Sequence, residues 1–290
     1  MGWYFYFIYK KGEITMKKKV SLLFLAVLTA ALTLVGCGSS NSNSSDENVF
    51  RVGMEAGYPP FNWTQNDDSN GAVKIEGSSE YAGGYDVEIA KKIAESLGKE
   101  LVIVKTEWDG LVPALTSGKI DAIIAGMSPT EERKQTIDFT DVYYKSDLVM
   151  LVKKGGAYEN AETLKDFSGA KITAQLNTFH YSVIDQIPNV NKQTAMDNFP
   201  AMRVALESGV IDGYVTERPE ALSAQMANEN FKMVEFKEGF TTSEEDTAIA
   251  VGVKKDSELK DKINEILKGI SDTERLEIMD TAIKNQPAAQ

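Results

Sequence analysis

Arg133 offers the clearest chemistry in this chain. Its planar guanidinium presents parallel N–H groups that match a carboxylate bidentately, and the residues leading to it, Gly126, Met127, Ser128, Pro129, Thr130, Glu131 and Glu132, read as one element ending and another starting. Ser128 stands three residues before Glu131, the spacing of a capping box, and Pro129 falls at the first helical position, where its missing N–H costs nothing. The apolar run over 120–125 suits a buried parallel strand, which Gly126 ends where backbone can approach a ligand. Free N–H donors at a helix start, with a guanidinium one turn in, would clamp a small acid. The same residues also suit an ordinary surface helix with a Glu/Arg/Lys face. This stretch alone does not separate the two.

Other reactive residue types are scarce. His180 is the sole histidine and Cys37 the sole cysteine. A histidine-rich metal site, an internal disulfide and a Ser/His/Asp triad are therefore not expected, and no cofactor fingerprint is present. His180 reads as a surface or rim residue. Cys37 is explained by what precedes it: Met16 and three lysines form a basic n-region, 21–33 form an apolar stretch too short to anchor, and Leu34, Val35 and Gly36 lead into the cysteine like a bacterial lipobox. Residues 1–36 are read as a signal peptide whose true start is Met16, with 1–15 reflecting an upstream start codon. Cys37 then becomes a lipidated N-terminus, and the Ser/Asn-rich run over 37–48 a flexible tether.

Removing residues 1–36 takes the basic residues from 31 to 26 and the acidic ones from 43 to 42, leaving a net charge of −16 over 254 residues. So acidic a surface speaks against nucleic acid and against adsorption to anionic lipid, and makes basic ligands more plausible. The length suffices for one large or two modest domains.

The elements that must position Arg133 alternate. A strand over 50–54 runs into a Gly/Pro-punctuated loop carrying Glu55, Tyr58 and Phe61. Residues 65–84 read as a long surface loop or irregular hairpin. Asp86 is placed as the cap of an amphipathic helix stopped by Gly98, followed by a strand over 101–105 and a short helix from Trp108 closed by Gly118. This β-α-β-α-β-α order implies a parallel sheet covered by helices, with ligands beyond the carboxyl ends of its strands. A strand over 147–153 would carry the chain out of this lobe, and residues 154–156 suit a crossover.

The second half repeats the first. ALTSGKID over 114–121 is matched by ALESGVID over 205–212, each reading as a helix end, a glycine stop and a buried strand start. Five residues beyond each aspartate stand Gly126 and Glu217, so Glu217 takes the place in the second lobe that the clamp takes in the first. Residues 171–176 read as a strand, 177–180 as the cap of a helix running to 187, and 247–253 as a strand returning to the first lobe. Helices over 257–270 and 273–283 close the fold.

Taken in order, Tyr58-Pro-Pro-Phe61, Gly84-Tyr-Asp-Val87, 108–115, 126–134, 138–144 and Ile211-Asp-Gly-Tyr-Val-Thr-Glu217 resemble the polar amino acid substrate-binding proteins of bacterial ABC importers. The resemblance spans nearly all of residues 37–290 and is specific for the family rather than for a ligand. It implies an α/β, two-lobed periplasmic-binding-protein-like fold of type II, each lobe a mostly parallel sheet with flanking helices, joined by two crossover strands. Lobe one would comprise 49–149 and 244–290, and lobe two 150–243. By the same resemblance Arg133 pairs with the ligand α-carboxylate, helped by Ser128 and by backbone around Gly126, Met127 and Thr178. Glu217 receives the α-ammonium, Tyr58 and Trp108 flank the side chain, and Glu55 lies near its terminus. Glutamate stands at both 55 and 217 where the family often has aspartate, which shifts the ammonium contacts by a methylene. Without the resemblance, the competing readings are ordinary core or surface aromatics for Tyr58 and Trp108, a solvated acid for Glu55, and a helix cap for Ser128, a role compatible with ligand binding.

A binding module is expected, not an enzyme, because a fork, an ammonium acceptor and aromatic walls come without a nucleophile–base pair. Cyclohexadienyl-dehydratase-like enzymes share the fold and are the alternative of another class; a sensory module is a third, weakened by the lack of a membrane segment or signalling domain after residue 290. Glu55 and the acidic surface favour arginine or lysine over glutamine or another polar amino acid. The family also implies a permease and an ATPase as partners, a monomer, and a lipid-anchored place on the outer face of the cytoplasmic membrane, as in a Gram-positive bacterium.

Overall fold

Apolar runs bounded by glycine and polar turns form two five-stranded sheets. The computed structural model describes residues 48–287, all within one compact unit, Glu47–Gln290. The expected signal peptide, the start at Met16, the lipidated Cys37 and all of the tether but Asn48 lie outside the described residues.

In chain order the strands and helices are β1 (Val49–Met54), β2 (Gly57–Tyr58), β3 (Asn62–Gln65), β4 (Val73–Lys74), β5 (Tyr81–Gly83), α1 (Tyr85–Ser96), β6 (Glu100–Lys105), α2 (Leu111–Ser117), β7 (Ala122–Ile123), α3 (Glu131–Lys134), β8 (Asp138–Lys145) and β9 (Leu148–Lys153). Then come β10 (Lys171–Thr173), α4 (Phe179–Val183), β11 (Asn191–Lys192), α5 (Phe199–Glu207), β12 (Gly213–Glu217), α6 (Arg218–Ala227), β13 (Phe231–Val234), β14 (Ala248–Val253), α7 (Leu259–Lys268) and α8 (Asp272–Asn285). The first sheet has the order β6-β1-β7-β14-β8 and the second β11-β10-β12-β9-β13. In each, the strands of the βα units run parallel, while β14 in the first and β9 in the second run antiparallel to their neighbours. Residues 65–84, expected to be irregular, instead supply strands of a small antiparallel sheet ordered β2-β3-β5-β4.

The chain leaves the first sheet after Lys145 and enters the second at Leu148, so the crossover is the link at 146–147. Residues 154–156 make a turn inside the second lobe, with the Gly156 N–H on the Lys153 carbonyl at 3.1 Å. The return link lies between β13 and β14. The two links are tied together where Ser146 N–H meets the Thr247 carbonyl at 3.0 Å, next to the Lys145–Ala248 register pair.

The repeated segments do the same physical work twice. Asp121 accepts the Arg51 N–H at 2.8 Å and Asp212 accepts the Lys171 N–H at 2.8 Å, so each carboxylate closes the entry edge of its sheet. The backbone returns the favour in both places: Asp121 N–H to the Arg51 carbonyl and Asp212 N–H to the Lys171 carbonyl, each at 2.8 Å. The register therefore aligns Arg51 with Lys171 and, four residues on, Glu55 with Gln175.

Helix starts are settled by tertiary contacts. Asp86 does not cap α1; Gly84 does, at φ 123°, where a side chain would collide with the Phe61 carbonyl at 2.4 Å. The first helical N–H groups bond instead to the Pro60 and Phe61 carbonyls at 3.0 and 2.8 Å, which frees Asp86 to turn inward. It is fully buried and accepts from Asn62 Nδ2 at 2.8 Å and Tyr143 OH at 2.7 Å.

One apolar core fills the first lobe and continues through Phe199, Met202, Leu206 and Tyr214 of the second; a separate cluster around Phe167, Ile172, Ile184 and Val215 packs the far face of the second sheet. Inside the second lobe, Glu220 is fully buried and its Oε1 accepts from Arg203 Nε at 3.0 Å, Arg203 Nη2 at 2.8 Å and Tyr214 OH at 2.9 Å. Removing the cation from such a pair leaves a buried acid unbalanced. Arg203→Ala is accordingly expected to lower the unfolding free energy by about 3–5 kcal/mol in urea denaturation, and Arg203→Met paired with Glu220→Gln to regain much of that loss.

Candidate functional site

The strand ends of the two lobes face each other, and Glu55, Tyr58, His180 and Glu217 are buried there with polar atoms left over, as Asn62 and Glu220 are elsewhere. Arg133 lies in α3, a helix of only four residues. Its Nη1 donates to the Ser128 carbonyl at 3.0 Å, its Nη2 crosses to the Asn177 carbonyl of the second lobe at 3.1 Å, and its guanidinium carbon stands 5.0 Å over the Trp108 ring. Burial pulls the guanidinium pKa down to about 10. Backbone carbonyls and an indole face hold the fork without neutralising it.

Ser128 is not the cap of α3. Thr130 takes that place, its hydroxyl accepting the Arg133 N–H at 3.4 Å, while Ser128 Oγ donates to the Asp246 carbonyl at 2.8 Å on the return link. With one helical turn behind it, the clamp rests on the guanidinium and the preceding loop rather than on a helix dipole. That loop starts at Gly126, at φ 62°, where an added Cβ would lie 2.7 Å from the Tyr58 ring. The Gly126 N–H reaches Tyr143 OH at 3.3 Å, and Tyr143 is itself bonded to Asp86. Met127 is buried, and its carbonyl accepts the Ala250 N–H at 3.1 Å.

Tyr58 stacks on Phe199 across the lobes at 4.3 Å and 9°, with its hydroxyl buried and unpartnered. Trp108 is half-buried at the rim, its Nε1 on the Asn177 carbonyl at 3.4 Å, and its neighbour Asp109 accepts from Asn177 Nδ2 at 2.8 Å. Thr178 caps α4 by backbone only, its hydroxyl turned to the Gln175 carbonyl at 2.8 Å.

Two acids complete the cleft. Glu55 is 6% exposed; its Oε2 accepts from Gln175 Nε2 at 3.0 Å and its Oε1 has no partner. Burial, reinforced by Glu107 and Asp109, pushes its pKa up to about 7 against the donation from Gln175. Glu217, 2% exposed at the end of β12, has Oε1 3.2 Å from His180 Nε2 and Oε2 without a partner. Burial, with Glu220 behind it, pushes its pKa up to about 8. His180 is no rim residue: it is 5% exposed, and burial together with Arg133 drives its pKa down to about 3. The 3.2 Å contact is not aligned as a hydrogen bond, and both imidazole nitrogens lack a partner.

Of the expected site residues, Glu55, Tyr58, Gly126, Met127, Ser128, Arg133 and Glu217 line or underlie this cleft, and Trp108 and Thr178 stand at its edge. Two surface hollows of about 470 and 440 Å³ open elsewhere on the first lobe and share none of these residues. Among the described residues, no group of three or more metal-ligating side chains is placed to hold a metal, and no helix is long and apolar enough to cross a membrane.

The profile of the bacterial extracellular solute-binding proteins, family 3, matches residues 50–282. The chain belongs to that family. The arginine-binding extracellular protein ArtP of Bacillus subtilis is 31% identical over 280 residues, covering 90% of this chain and 96% of that protein. The ABC transporter glutamine-binding protein GlnH of Bacillus subtilis is 33% identical over 284 residues, covering 93% and 99%. A crystal structure of an amino acid ABC transporter substrate-binding protein from Streptococcus pneumoniae bound to L-arginine superposes with a TM-score of 0.73 at 26% identity, covering 82% of this chain and 95% of that one. The two-lobed architecture is that of the type II periplasmic binding proteins of the amino acid family, and the chain is an amino acid ABC transporter substrate-binding protein.

Sequence reasoning in this family member missed His180, Gln175, Asn177 and Phe199. A signal for Gln175 was present, since counting four residues from each strand entry pairs it with Glu55. For His180 only its singularity stood out.

The buried acids give the ligand-free protein an inverted pH dependence. Asp86 at about 7, Glu55 at about 7 and Glu217 at about 8 all lie above their unfolded values, so the native state binds more protons than the unfolded one and stability falls as pH rises through those values. His180 opposes this only below its unfolded value of about 6.5, where the unfolded chain takes up the extra proton. Between pH 6.5 and 8.5 the acids act alone. Thermal scans should show the melting temperature falling by several degrees over that interval, and Glu217→Gln should flatten the fall; a rising melting temperature would contradict these assignments.

Proposed function

We propose that the cleft closes on a cationic L-amino acid, arginine or lysine, and that the protein delivers it to an ABC permease driven by its ATPase subunit. The observation that carries this reading is the second buried acid, Glu55, whose Oε1 has no partner. Arg133 supplies one positive charge for the α-carboxylate, aided by Ser128 and by backbone at Gly126, Met127 and Thr178. Glu217 Oε2 takes the α-ammonium. With both acids ionised these three groups sum to one negative charge, the complement of arginine or lysine rather than of a neutral zwitterion. Tyr58, whose ring stacks on Phe199 and whose hydroxyl has no partner, supplies the aromatic wall for the side chain. Trp108, already beneath the guanidinium, serves mainly to hold the fork.

The similar arginine- and glutamine-binding relatives do not choose between ligands, so the acid at position 55 bears the distinction. Closure would take place about the links at 146–147 and 242–247, since 235–241 are held on the second lobe by Phe236, Phe240 and the Gln186–Thr241 bonds, with lobe one formed by 49–145 and 248–287. Lipidation at Cys37 would hold a monomer at the outer face of the membrane, with the following polar run giving reach.

Calorimetric titration of residues 37–290, stripped of copurified ligand, against arginine, lysine, histidine and glutamine tests the proposal. Arginine or lysine should bind tightest. Glu55→Gln should weaken arginine by roughly 30- to 100-fold, the cost of about 2–3 kcal/mol for losing a buried charged contact, and leave glutamine within about threefold by the same measure. Arg133→Ala should abolish binding of all four. Tightest binding of glutamine, or an arginine affinity indifferent to Glu55→Gln, would sink the cationic reading.

A further inference from the structure

His180 is placed where a merely structural histidine would not be left. It sits in the first turn of α4, which packs against β12, and its ring is wedged at 4.3 Å and 49° against Phe179. A buried imidazole in a protein interior ordinarily has a partner for at least one nitrogen; here neither has one, although Glu217 Oε1 is 3.2 Å away. The charged groups around the pair are Arg133 from the opposite lobe and Glu220 from α6, the latter already held by Arg203 and Tyr214. Burial, with Arg133 beside it, keeps the imidazole neutral, with one N–H to give. Burial, with Glu220 behind it, disfavours the charged form of Glu217 until a cation stands opposite.

We propose that His180 is the positioning residue for the ammonium acceptor: on ligand entry Glu217 ionises, His180 Nε2–H donates to Oε1, and Oε2 is left aimed at the ligand ammonium. This rests on the amino acid reading of the cleft. The step balances as one proton lost from the Glu217 carboxyl to solvent for each ammonium taken up, with the imidazole neutral before and after. A fixed imidazole donor also selects one carboxylate orientation, which compensates for the extra rotatable bond of glutamate at this position. At 3.2 Å the imidazole is within reach of Oε1, and a hydrogen bond to a charged carboxylate is shorter and stronger than one to a neutral carboxyl.

The test is the pH profile of L-arginine binding by calorimetry, between pH 5.5 and 9, in two buffers of different ionisation enthalpy, for the natural protein, His180→Leu and His180→Gln. Glu55 contributes to all three profiles alike, so differences between them report Glu217. In the natural protein, affinity should rise with pH and level off near pH 8, with proton release on binding below that point. His180→Leu removes the donor, which should shift the levelling point upward by about one pH unit and weaken binding at pH 7 about tenfold, a factor of ten per unit for one linked proton. His180→Gln, whose amide can donate, should stay near the natural profile. If His180→Leu keeps the natural levelling point, His180 does not position Glu217, whatever its affinity. Proton release that persists undiminished in Glu217→Gln would overturn the assignment from the other side. Absence of amino acid binding by the natural protein at every pH would instead refute the reading of the cleft itself.

Discussion

A carboxyl group taken out of water keeps its charge only where donors replace the water. That constraint orders this molecule. Where the fold needs a buried acid for its own sake, it supplies the donors: Asp86 receives Asn62 and Tyr143, and Glu220 receives Arg203 and Tyr214. At the facing strand ends it supplies less. Glu55 has a single amide and Glu217 a neighbouring imidazole that does not point at it, while Arg133 spends its fork on carbonyls. The two groups differ in donors: Asp86 and Glu220 each accept from two residues, Glu55 from one and Glu217 from no aligned side chain, although Glu220 Oε2, like Glu55 Oε1 and Glu217 Oε2, has no partner.

The near-symmetry of the lobes explains how the cleft groups come to meet. Each βα unit is closed at its entry by an aspartate on a strand N–H, and both units therefore deliver their strand ends at equivalent heights. Equivalent positions then face each other. Glu55 and Gln175, four residues beyond matching entries, form a direct bond; Gly126 and Glu217, five beyond the matching aspartates, divide the labour, one opening space for backbone and the other supplying charge. A single architectural plan, used twice and decorated differently, yields a site with opposite electrical ends.

Much of this was legible in the chain. The alternation of strands and helices, the glycine stops at Gly98 and Gly118 and the repeat itself follow from periodicity and backbone preference, which act within a few residues. The misses are of another kind. Ser128 has ideal spacing for a cap, yet the Asp246 carbonyl, distant in sequence, claims its hydroxyl and Thr130 caps instead. Asp86 lost its capping role to two carbonyls from the preceding loop. The sheet made by 65–84 depends on pairing partners whose alternation is too short to register. His180 looked exposed because nothing local says which face of α4 meets β12. Each failure is a long-range contact outbidding a local rule.

The paired links between the lobes have a mechanical consequence. Lys145 and Ala248 are a register pair of β8 and β14, and the Ser146 N–H on the Thr247 carbonyl carries that pairing one step past the sheet into both links. Ser128 is bonded to Asp246 on the return link itself, whereas Asn177 of the second lobe is bonded to Trp108, Asp109 and Arg133 of the first. The molecule consequently joins its lobes twice over: at a corner where backbone continues from one sheet toward the other, and at a rim where four side chains and one carbonyl can be unlatched without touching either sheet.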